Sequence, residues 1–487
     1  MSQYDFYVDL HCHPAMKPFG KSFNKTNREN STKLSDKSSI WHQQTPNIFK
    51  KIINTLGSLT KFTQSDCTTL FKGGVHVVCA SLYPLEKGFV KNKLGQNMIS
   101  DIPLNLLTGI GDKRIDYLQN LDSYFKDLEE EYQFYQQLDG VVVKVDNQHK
   151  VRYKIVRSYD EILSYVDTNP DSDVITICLL LSIEGMHVLD CGLYGANSNS
   201  DINLLKENVD KIKNWQHSPF FVTLAHHFWN ELCGHAKSLV GIADCVTNQE
   251  YGIGEGFTEK GKIILHQLLE NKNGKRILID IKHMSVKARE EYYQILKEEY
   301  ASENIPIIIS HGAMNGLTSP TNPSLSSIKT GRLFYKEDIN FYDSEMVEVA
   351  QSGGIMGLQM DERRLISREA LKNVKRSMRR HMLLHYRSEI VWNQIQHIAE
   401  VLDKHNLPAW NSIAIGSDYD GIIDPLNGFW TASEMDLLAS YLERHAENYF
   451  KNPNCPLDKE NKILPSEVIS RVMSSNALQF LEKHFKS

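Results

Sequence analysis

Histidine and carboxylate side chains recur in this chain directly after short apolar segments. The first segment, residues 5–10, runs into His11 and His13, which flank a cysteine. Side chains spaced i and i+2 on a strand share one face, and neutral imidazole is the commonest protein metal ligand. This pair is therefore a candidate half of a metal site. Two close histidines are more often simply solvated, and the pair gains weight from the residues that follow later apolar segments: Glu184, His226, His283, His311 and Asp418.

Together these side chains predict a centre that binds two metal ions. A carboxylate between two pairs of imidazoles can bridge divalent ions about 3.5–4 Å apart, and the bridging water or hydroxide can then attack an amide carbonyl. A further carboxylate outside the ligand set would shuttle the proton. Taken singly, each residue has a structural alternative: Glu184 could begin a turn, His283 and His311 could cap helices, and Asp418 could support the loop at 417–421.

The elements that must position these residues form a regular pattern. Near-continuous apolar strands that alternate with helices predict a parallel sheet covered on both faces. Eight such units predict an α/β fold of the closed (β/α)8 TIM-barrel type, whose active sites form at the C-terminal strand ends. The predicted strands are 5–10, 74–82, 174–183, 220–225, 277–282, 306–310, 353–359 and 412–417, and the helices between the later strands are 201–215, 259–271, 286–300, 343–351 and 386–405.

Other segments are predicted to decorate this barrel. Residues 17–46, rich in Lys, Ser, Asn and Thr, predict a loop that is either an active-site lid or a solvated insertion. Periodicity predicts helices at 47–70 and 114–137 and two outer helices near 432–449 and 465–485, and residues 141–145 and 151–156 predict an added hairpin. The whole chain, 1–487, is predicted to be one domain with insertions at about 17–46, 85–113 and 318–335.

Composition narrows the functional classes. The chain has 487 residues, of which 41% are hydrophobic and 23% charged, so it can bury a large core. A net charge of -6 gives no reason to expect a nucleic-acid or membrane partner. The eight cysteines lack CxxC spacing, which predicts reduced core residues rather than disulfides or a thiolate zinc cluster. No signal or membrane-spanning segment is visible, so a cytoplasmic protein is expected.

Several stretches resemble the renal or membrane dipeptidases (peptidase family M19), a metallopeptidase branch of the amidohydrolase superfamily. The resemblance covers nearly the whole chain except the insertions, and the order and spacing of the stretches are specific. The matching stretches are Ser182–Gly185 (SIEG), Val222–His226 (VTLAH), Gly254–Gly261 (GEGFTEKG), Ile279–Ser285 (IDIKHMS), Pro306–His311 (PIIISH), Ile415–Gly421 (IGSDYDG) and Ser475–Phe480 (SNALQF).

The resemblance implies a zinc-dependent dipeptidase that hydrolyses an amide bond with a metal-bridging hydroxide. It implies that one of two divalent ions, expected to be Zn²⁺, is held by His11, His13 and Glu184, and the other by Glu184, His283 and His311. Asp418 would then be the catalytic acid and base, and His226 would contact the substrate carbonyl and stabilise the oxyanion. An arginine would bind the substrate carboxylate, and Arg332 is the candidate by position and by the suitability of a guanidinium. The expected partner is a small dipeptide, and a homodimer is left open.

Two features keep other functions open. Where the dipeptidases carry His-x-Asp at the end of the first strand, this chain carries His11 and His13, which replaces an anionic ligand with a neutral one. The loops are also enlarged, and loops decide the chemistry of barrel enzymes. The alternatives are therefore another amidohydrolase reaction, on a lactone or an N-acyl amino acid, and a metal-binding barrel without catalysis. The latter is disfavoured because Asp418 is present.

Overall fold

The core of the protein is a barrel of eight parallel strands. The computed structural model describes residues 6–46, 62–90, 105, 108–166, 173–239, 247–374 and 379–486. Each barrel strand pairs in parallel with the next barrel strand along the chain, so the predicted α/β barrel is confirmed. The barrel strands are β1 (Tyr7–Cys12), β2 (Val75–Leu82), β5 (Val174–Glu184), β6 (Phe221–Thr223), β7 (Leu278–Asp280), β8 (Ile308–Gly312), β9 (Ile355–Leu358) and β10 (Ile413–Ile415).

The first and last strands meet through the loop that follows β10. The amide of Asp418 donates to the carbonyl of His11 at 2.8 Å, and the amide of His13 donates to the carbonyl of Tyr419 at 2.9 Å. Asp9 reinforces this junction, because its carboxylate accepts the amide and the hydroxyl of Ser417 at 2.8 and 2.5 Å. Closure of the barrel therefore places the predicted acid/base residue beside the predicted ligands of the first strand.

The strands are buried on both faces, as the near-continuous apolar segments predict. In β5, Leu179, Leu180 and Leu181 are at most 2% exposed. Burying each such side chain contributes about 1.5–3 kcal/mol. Helices cover the outer face of the barrel, and many begin at a capping side chain; Ser285, for example, accepts the amide of Ala288.

The helices between and after the strands confirm most of the predicted ones, with ends shifted by a few residues. The covering helices are Ile202–Lys213, Glu259–Leu269, Val286–Glu299, Asp343–Gln351 and Arg380–Lys404, and those after the last strand are Met435–Lys451, Pro465–Ser470 and Asn476–His484, with one π-helical turn at Arg471–Ser475. Shorter helices are Met16–Ser22, Cys67–Lys72, Lys87–Val90, Tyr159–Val166, Glu362–Leu365 and Arg368–Asn373.

Three predicted segments differ from the structure. The loop at 17–46 begins within the helix Met16–Ser22 and buries Ile40 and Trp41 completely, so it is packed against the protein rather than wholly solvated. The helix predicted at 47–70 lies partly outside the described residues, and its remaining part is helical only at Cys67–Lys72. The helix predicted at 114–137 is two helices, Asp112–Gln119 and Tyr124–Gln136, because Ser123 caps a new start.

The added hairpin is confirmed, and the described cysteines lie in the core as predicted. β3 (Val143–Lys144) and β4 (Lys150–Ile155) are antiparallel, and β4 extends the sheet along the first half of β5. The described cysteines are free and buried, while Cys245 lies outside the described residues. Among the described helices none is both long and apolar enough to cross a membrane. The single domain, the homodimer and the cytoplasmic location stay predictions.

Candidate metal centre and active site

Five of the predicted site residues converge at the C-terminal end of the barrel. His11 lies in β1 and His311 in β8, each pointing its ring toward Glu184, the last residue of β5. His283 follows β7 in a left-handed backbone conformation, with φ of 67°, which turns its ring toward the same carboxylate. His13 completes the group from the end of β1. All five are at most 5% exposed.

The donor atoms are spaced as metal ligands. The Nε2 atoms of His11 and His13 lie 3.2 Å apart, and those of His283 and His311 lie 3.3 Å apart. Each of these four Nε2 atoms is also 3.1–3.5 Å from an oxygen of Glu184. Ligands about 2.0–2.1 Å from a tetrahedral zinc ion are about 3.3–3.4 Å from one another. The imidazole and carboxylate atoms are therefore spaced as the ligands of a divalent metal ion, with His11, Glu184 and His311 as one candidate group and His11, His13 and Asp418 as another.

A buried serine and aspartate set the tautomers of two ligands. The hydroxyl of Ser310 donates to Asp280 at 2.6 Å, and its oxygen lies 3.2 Å from Nδ1 of His11 and 2.9 Å from Nδ1 of His311. Because the one hydroxyl proton goes to the carboxylate, both imidazoles donate an Nδ1 proton to Ser310. Their Nε2 lone pairs are then directed at Glu184 and free to bind a cation. Neither Ser310 nor Asp280 carried a recognisable signal in the sequence, because each lies inside or next to an apolar strand segment.

Asp418 lies at the edge of this ligand group. Its carboxylate is 3.6 Å from Nε2 of His13 and 4.0 Å from Nε2 of His11. Burial, together with the nearby Glu184 carboxylate, raises the pKa of Asp418. Its φ of 60° is a left-handed conformation, which is uncommon outside glycine and clusters at functional sites.

The loop that holds Asp418 is supported by a different aspartate. The carboxylate of Asp420 accepts the Lys17 ammonium at 2.5 Å and the amides of Gln64 and Ser65 at 2.9 and 2.8 Å. Support of the loop at 417–421 was the structural alternative to a catalytic role for Asp418, and these contacts show that Asp420 provides that support. Asp418 itself is therefore left facing the ligand group.

His226 reaches the centre from the end of β6 and is held by a carboxylate that the sequence analysis missed. Its Nε2 lies 3.5 Å from Glu184, and its Nδ1 lies 2.7 Å from Glu86. Burial lowers the pKa of His226, but Glu184 and Glu86 outweigh it and the net pKa is raised. Glu86 follows β2. Of the eight barrel strands, only β2 and β9 have no predicted site residue at their C-terminal ends, and this gap was the signal available in the sequence.

Close packing beside Glu184 requires glycine at position 185. Gly185 has a φ of 87°, and a Cβ there would lie 2.5 Å from the ring of His187 and 3.0 Å from Cβ of His226. Any larger residue would displace one of the two rings. This explains physically why the predicted stretch at 182–185 ends in glycine.

Arg332 is not brought to this group. It lies in the 3₁₀-helix Lys329–Leu333 with its side chain exposed. No hydrogen bond or ion pair within the described residues joins it to the metal ligands, to Asp418 or to His226. Its predicted contact with a substrate carboxylate therefore has no support from the position of the side chain.

The sequence comparison identifies the family. The profile of the membrane dipeptidase family, peptidase family M19, matches residues 42–451, which is most of the chain. The protein belongs to the membrane dipeptidase family. Membership in this family of metallopeptidases implies that divalent metal binds among the histidine and carboxylate side chains around Glu184. No curated protein sequence matches the chain significantly.

Solved structures of M19 proteins share the fold. A dipeptidase AC, a metallopeptidase of family M19, has a TM-score of 0.51 at 12% identity, covering 87% of this chain and 90% of its own. A metallopeptidase from Rhodobacter sphaeroides, liganded with a phosphinate mimic of the dipeptide L-Ala-D-Ala, has a TM-score of 0.52 at 12% identity, covering 99% of this chain and 100% of its own. At this identity the likeness supports the barrel fold alone.

Proposed function

We propose that this protein is a dipeptidase that uses two zinc ions to hydrolyse the amide bond of its substrate. The observation that carries the proposal is the position of Glu184, whose carboxylate lies within 3.5 Å of five imidazole Nε2 atoms, those of His226 and of the four proposed histidine ligands. His11 and His13 would share one ion with Glu184, and His283 and His311 would share the other. Bound ions would supply Lewis-acid activation of the amide carbonyl and of the attacking water.

Asp418 is the proposed proton shuttle. Its carboxylate would accept a proton from the water that attacks the carbonyl carbon and would give that proton to the amine nitrogen as the C–N bond breaks. The position of its carboxylate, 3.6 Å from Nε2 of His13, supports this role, because a proton shuttle must lie within reach of the water held at the ligand group. The two products are a free carboxylate and a free amine.

His226 is the proposed donor to the developing oxyanion. With Glu86 accepting the Nδ1 proton, an imidazolium would still present its Nε2 proton at the centre. The Glu86 carboxylate, 2.7 Å from Nδ1, would stabilise the positive charge of that imidazolium. A cationic donor that is already in position before the reaction stabilises the negatively charged oxygen of the transition state more than the neutral carbonyl oxygen of the substrate.

Two observations support the proposed substrate class: the family to which the chain belongs and the ligand bound to a protein of similar structure. The Rhodobacter metallopeptidase was captured with a mimic of a dipeptide whose second residue is D-alanine. We therefore propose dipeptides as substrates, including those with a D-residue at the second position. Lactones and N-acyl amino acids are the competing classes, because the same centre could activate water against either.

The proposal can be tested with a panel of substrates and protein of known metal content. The protein would be stripped with a chelator, reloaded with zinc, analysed for bound metal, and incubated with L,L- and L,D-dipeptides, N-acyl amino acids and lactones. About two zinc ions per chain and preferred cleavage of dipeptides are expected. Preferred cleavage of another class would assign the barrel to a different amidohydrolase reaction, and zinc binding without any cleavage would favour the non-catalytic alternative.

A further inference from the structure

A basic cavity lies beside the helix Met16–Ser22, and its volume is about 200 Å³. The side chains that line it include three lysines and a histidine: Lys17, Lys21, Lys37 and His42. Among the described residues that line the cavity there is no carboxylate. A concave site lined by charges of one sign concentrates ions of the other sign, so this cavity is suited to an anion.

Lys17 is the most firmly held of these side chains. It is 6% exposed, and its ammonium donates to the carboxylate of Asp420 at 2.5 Å and to the carbonyl of Phe62 at 2.9 Å. An ammonium has three N–H donors, and these two contacts use two of them. Because Lys17 also lines the cavity, its third donor is available to a ligand there.

His42 offers one ring nitrogen to the same ligand. Its Nδ1 lies 2.7 Å from the carbonyl oxygen of Leu34, and a carbonyl can only accept, so Nδ1 carries the proton of this contact. Nε2 has no hydrogen-bond partner in the part of the chain that the structure describes. It can therefore accept a proton from hydrogen phosphate, or donate one to an anion when the ring is protonated.

Two further lysines add positive charge from separate segments. Lys21 lies four positions after Lys17 in one helix, a spacing that places both side chains on the same face. Lys37 is exposed, and no hydrogen bond or ion pair joins it to another described residue. Nearby Lys25, by contrast, pairs with Asp36 at 2.6 Å. The cavity therefore keeps positive charge that acidic side chains of the described chain do not neutralise.

The cavity is separate from the metal centre, although one side chain links the two. None of the predicted metal ligands lines it, and the side chains of Lys17, His42 and Thr63 make no hydrogen bond to any of those ligands. Asp420, which accepts the Lys17 ammonium, stands two residues after Asp418 in the loop that follows β10. Lys17 thus contacts the catalytic loop with one donor and faces the cavity with another.

We propose that this cavity binds phosphate, either as the free ion or as the phosphate group of a small monoester. A phosphate monoester carries a charge of about -1.5 to -2 at pH 7 and three strong acceptor oxygens, which suits three ammonium groups and an imidazole better than a carboxylate does. Pockets for drug-sized ligands have volumes of about 300–1,000 Å³, so the smaller volume here favours a phosphate with a small substituent. The site goes beyond the proposed dipeptidase function and does not depend on it.

Phosphate binding can be measured apart from turnover. Zinc-loaded protein, and protein stripped of metal with a chelator and then dialysed, would be titrated by calorimetry at fixed ionic strength with inorganic phosphate, glycerol 3-phosphate, acetate and a dipeptide. The double variant Lys21→Gln/Lys37→Gln removes two charges from the cavity. Its matched control is Lys33→Gln/Lys113→Gln, which removes two exposed charges that do not line the cavity. Thermal unfolding would show that each variant is folded.

We expect the stripped protein to bind about one phosphate per chain, because none of the predicted metal ligands lines the cavity. Lys21→Gln/Lys37→Gln should weaken that binding by about 10- to 100-fold, the range for charge-assisted hydrogen bonds, and the control by less than about threefold. Phosphate should raise the unfolding temperature of the stripped wild type but not that of Lys21→Gln/Lys37→Gln. Tighter binding of glycerol 3-phosphate than of inorganic phosphate would identify a monoester as the ligand, and the reverse order would identify the free ion.

Three results would overturn the phosphate site. Phosphate binding that disappears together with the metal would place the ion at the metal centre and not in the cavity. Equal affinities of Lys21→Gln/Lys37→Gln and its control, both folded, would exclude the two cavity lysines as ligands. Acetate that binds as tightly as phosphate, or a dipeptide that displaces phosphate from the stripped protein, would show that the cavity selects carboxylates.

Discussion

Ser310→Ala should weaken metal binding although Ser310 is not a ligand. Its hydroxyl is the common contact of Nδ1 of His11 at 3.2 Å, Nδ1 of His311 at 2.9 Å and the carboxylate of Asp280 at 2.6 Å. Without that oxygen, the Nδ1 protons of both imidazoles lose their acceptor. The rings can then rotate or change tautomer, so that the Nε2 lone pairs no longer face the ions.

The expected loss of zinc affinity and of stability in Ser310→Ala depends on which hydrogen bonds the variant loses and which it keeps. Loss of a residue that orients a metal ligand typically costs 10- to 100-fold in metal affinity, which is about 1.4–2.7 kcal/mol. Asp280 would keep the hydroxyl of Thr223 at 2.7 Å and the amides of Lys282 and Ser310 at 3.1 and 3.0 Å, so its carboxylate stays satisfied. The metal-free protein should therefore lose only about 1–3 kcal/mol of stability, the equivalent of one or two buried hydrogen bonds.

The matched control is Ser182→Ala. Ser182 is a fully buried serine in β5 whose hydroxyl has no hydrogen-bond partner among the described residues. Zinc affinity would be measured for both variants and the wild type by competition with a chelating dye, and stability by urea unfolding of the metal-free proteins. If Ser310→Ala binds zinc as tightly as Ser182→Ala, Ser310 does not orient the ligands and the tautomer argument is wrong.

Four further substitutions test the centre. Glu184→Gln should disturb both ions, because one carboxylate contacts both imidazole pairs; a variant that keeps one site at wild-type affinity would make Glu184 a terminal ligand. Asp418→Asn should lower kcat by about 10²- to 10⁴-fold at unchanged metal content, and near-normal turnover would remove Asp418 from the mechanism. His226→Ala should lower kcat by about 10²- to 10³-fold with little change in KM, whereas a change confined to KM would make it a binding residue. His13→Asp adds a negative charge, so it should raise the acidic-limb pKa of the pH–rate profile and weaken phosphate inhibition; if neither changes, His13 does not tune the centre.

The strand ends were predictable because their signal is local. Each apolar segment is short and continuous, and a parallel barrel brings the C-terminal ends of all its strands to one rim. His11, Glu184 and His311 could therefore be grouped although hundreds of residues separate them along the chain. The family resemblance added individual roles, and the structure brings the four predicted histidine ligands, but not Arg332, within ligand distance of Glu184.

The helix boundaries show where local signals mislead. Periodicity over 114–137 is continuous because both helices, Asp112–Gln119 and Tyr124–Gln136, turn their apolar faces to the interior. The break between them depends on the cap at Ser123, whose hydroxyl also donates to the carboxylate of Asp190 at 2.9 Å. A contact with a residue so distant in the chain leaves no trace in the periodicity.

By itself the sequence determined the barrel, the order of its strands and the identity of the side chains at their C-terminal ends, because hydrophobic periodicity and residue type are properties of short segments. Only the tertiary structure decided which polar groups support them: Glu86 behind His226, and Ser310 and Asp280 behind two imidazoles. These partners are joined by hydrogen bonds of about 3 Å across separate strands and loops. Such contacts depend on strand register, ring orientation and burial, which exist only once the barrel has closed.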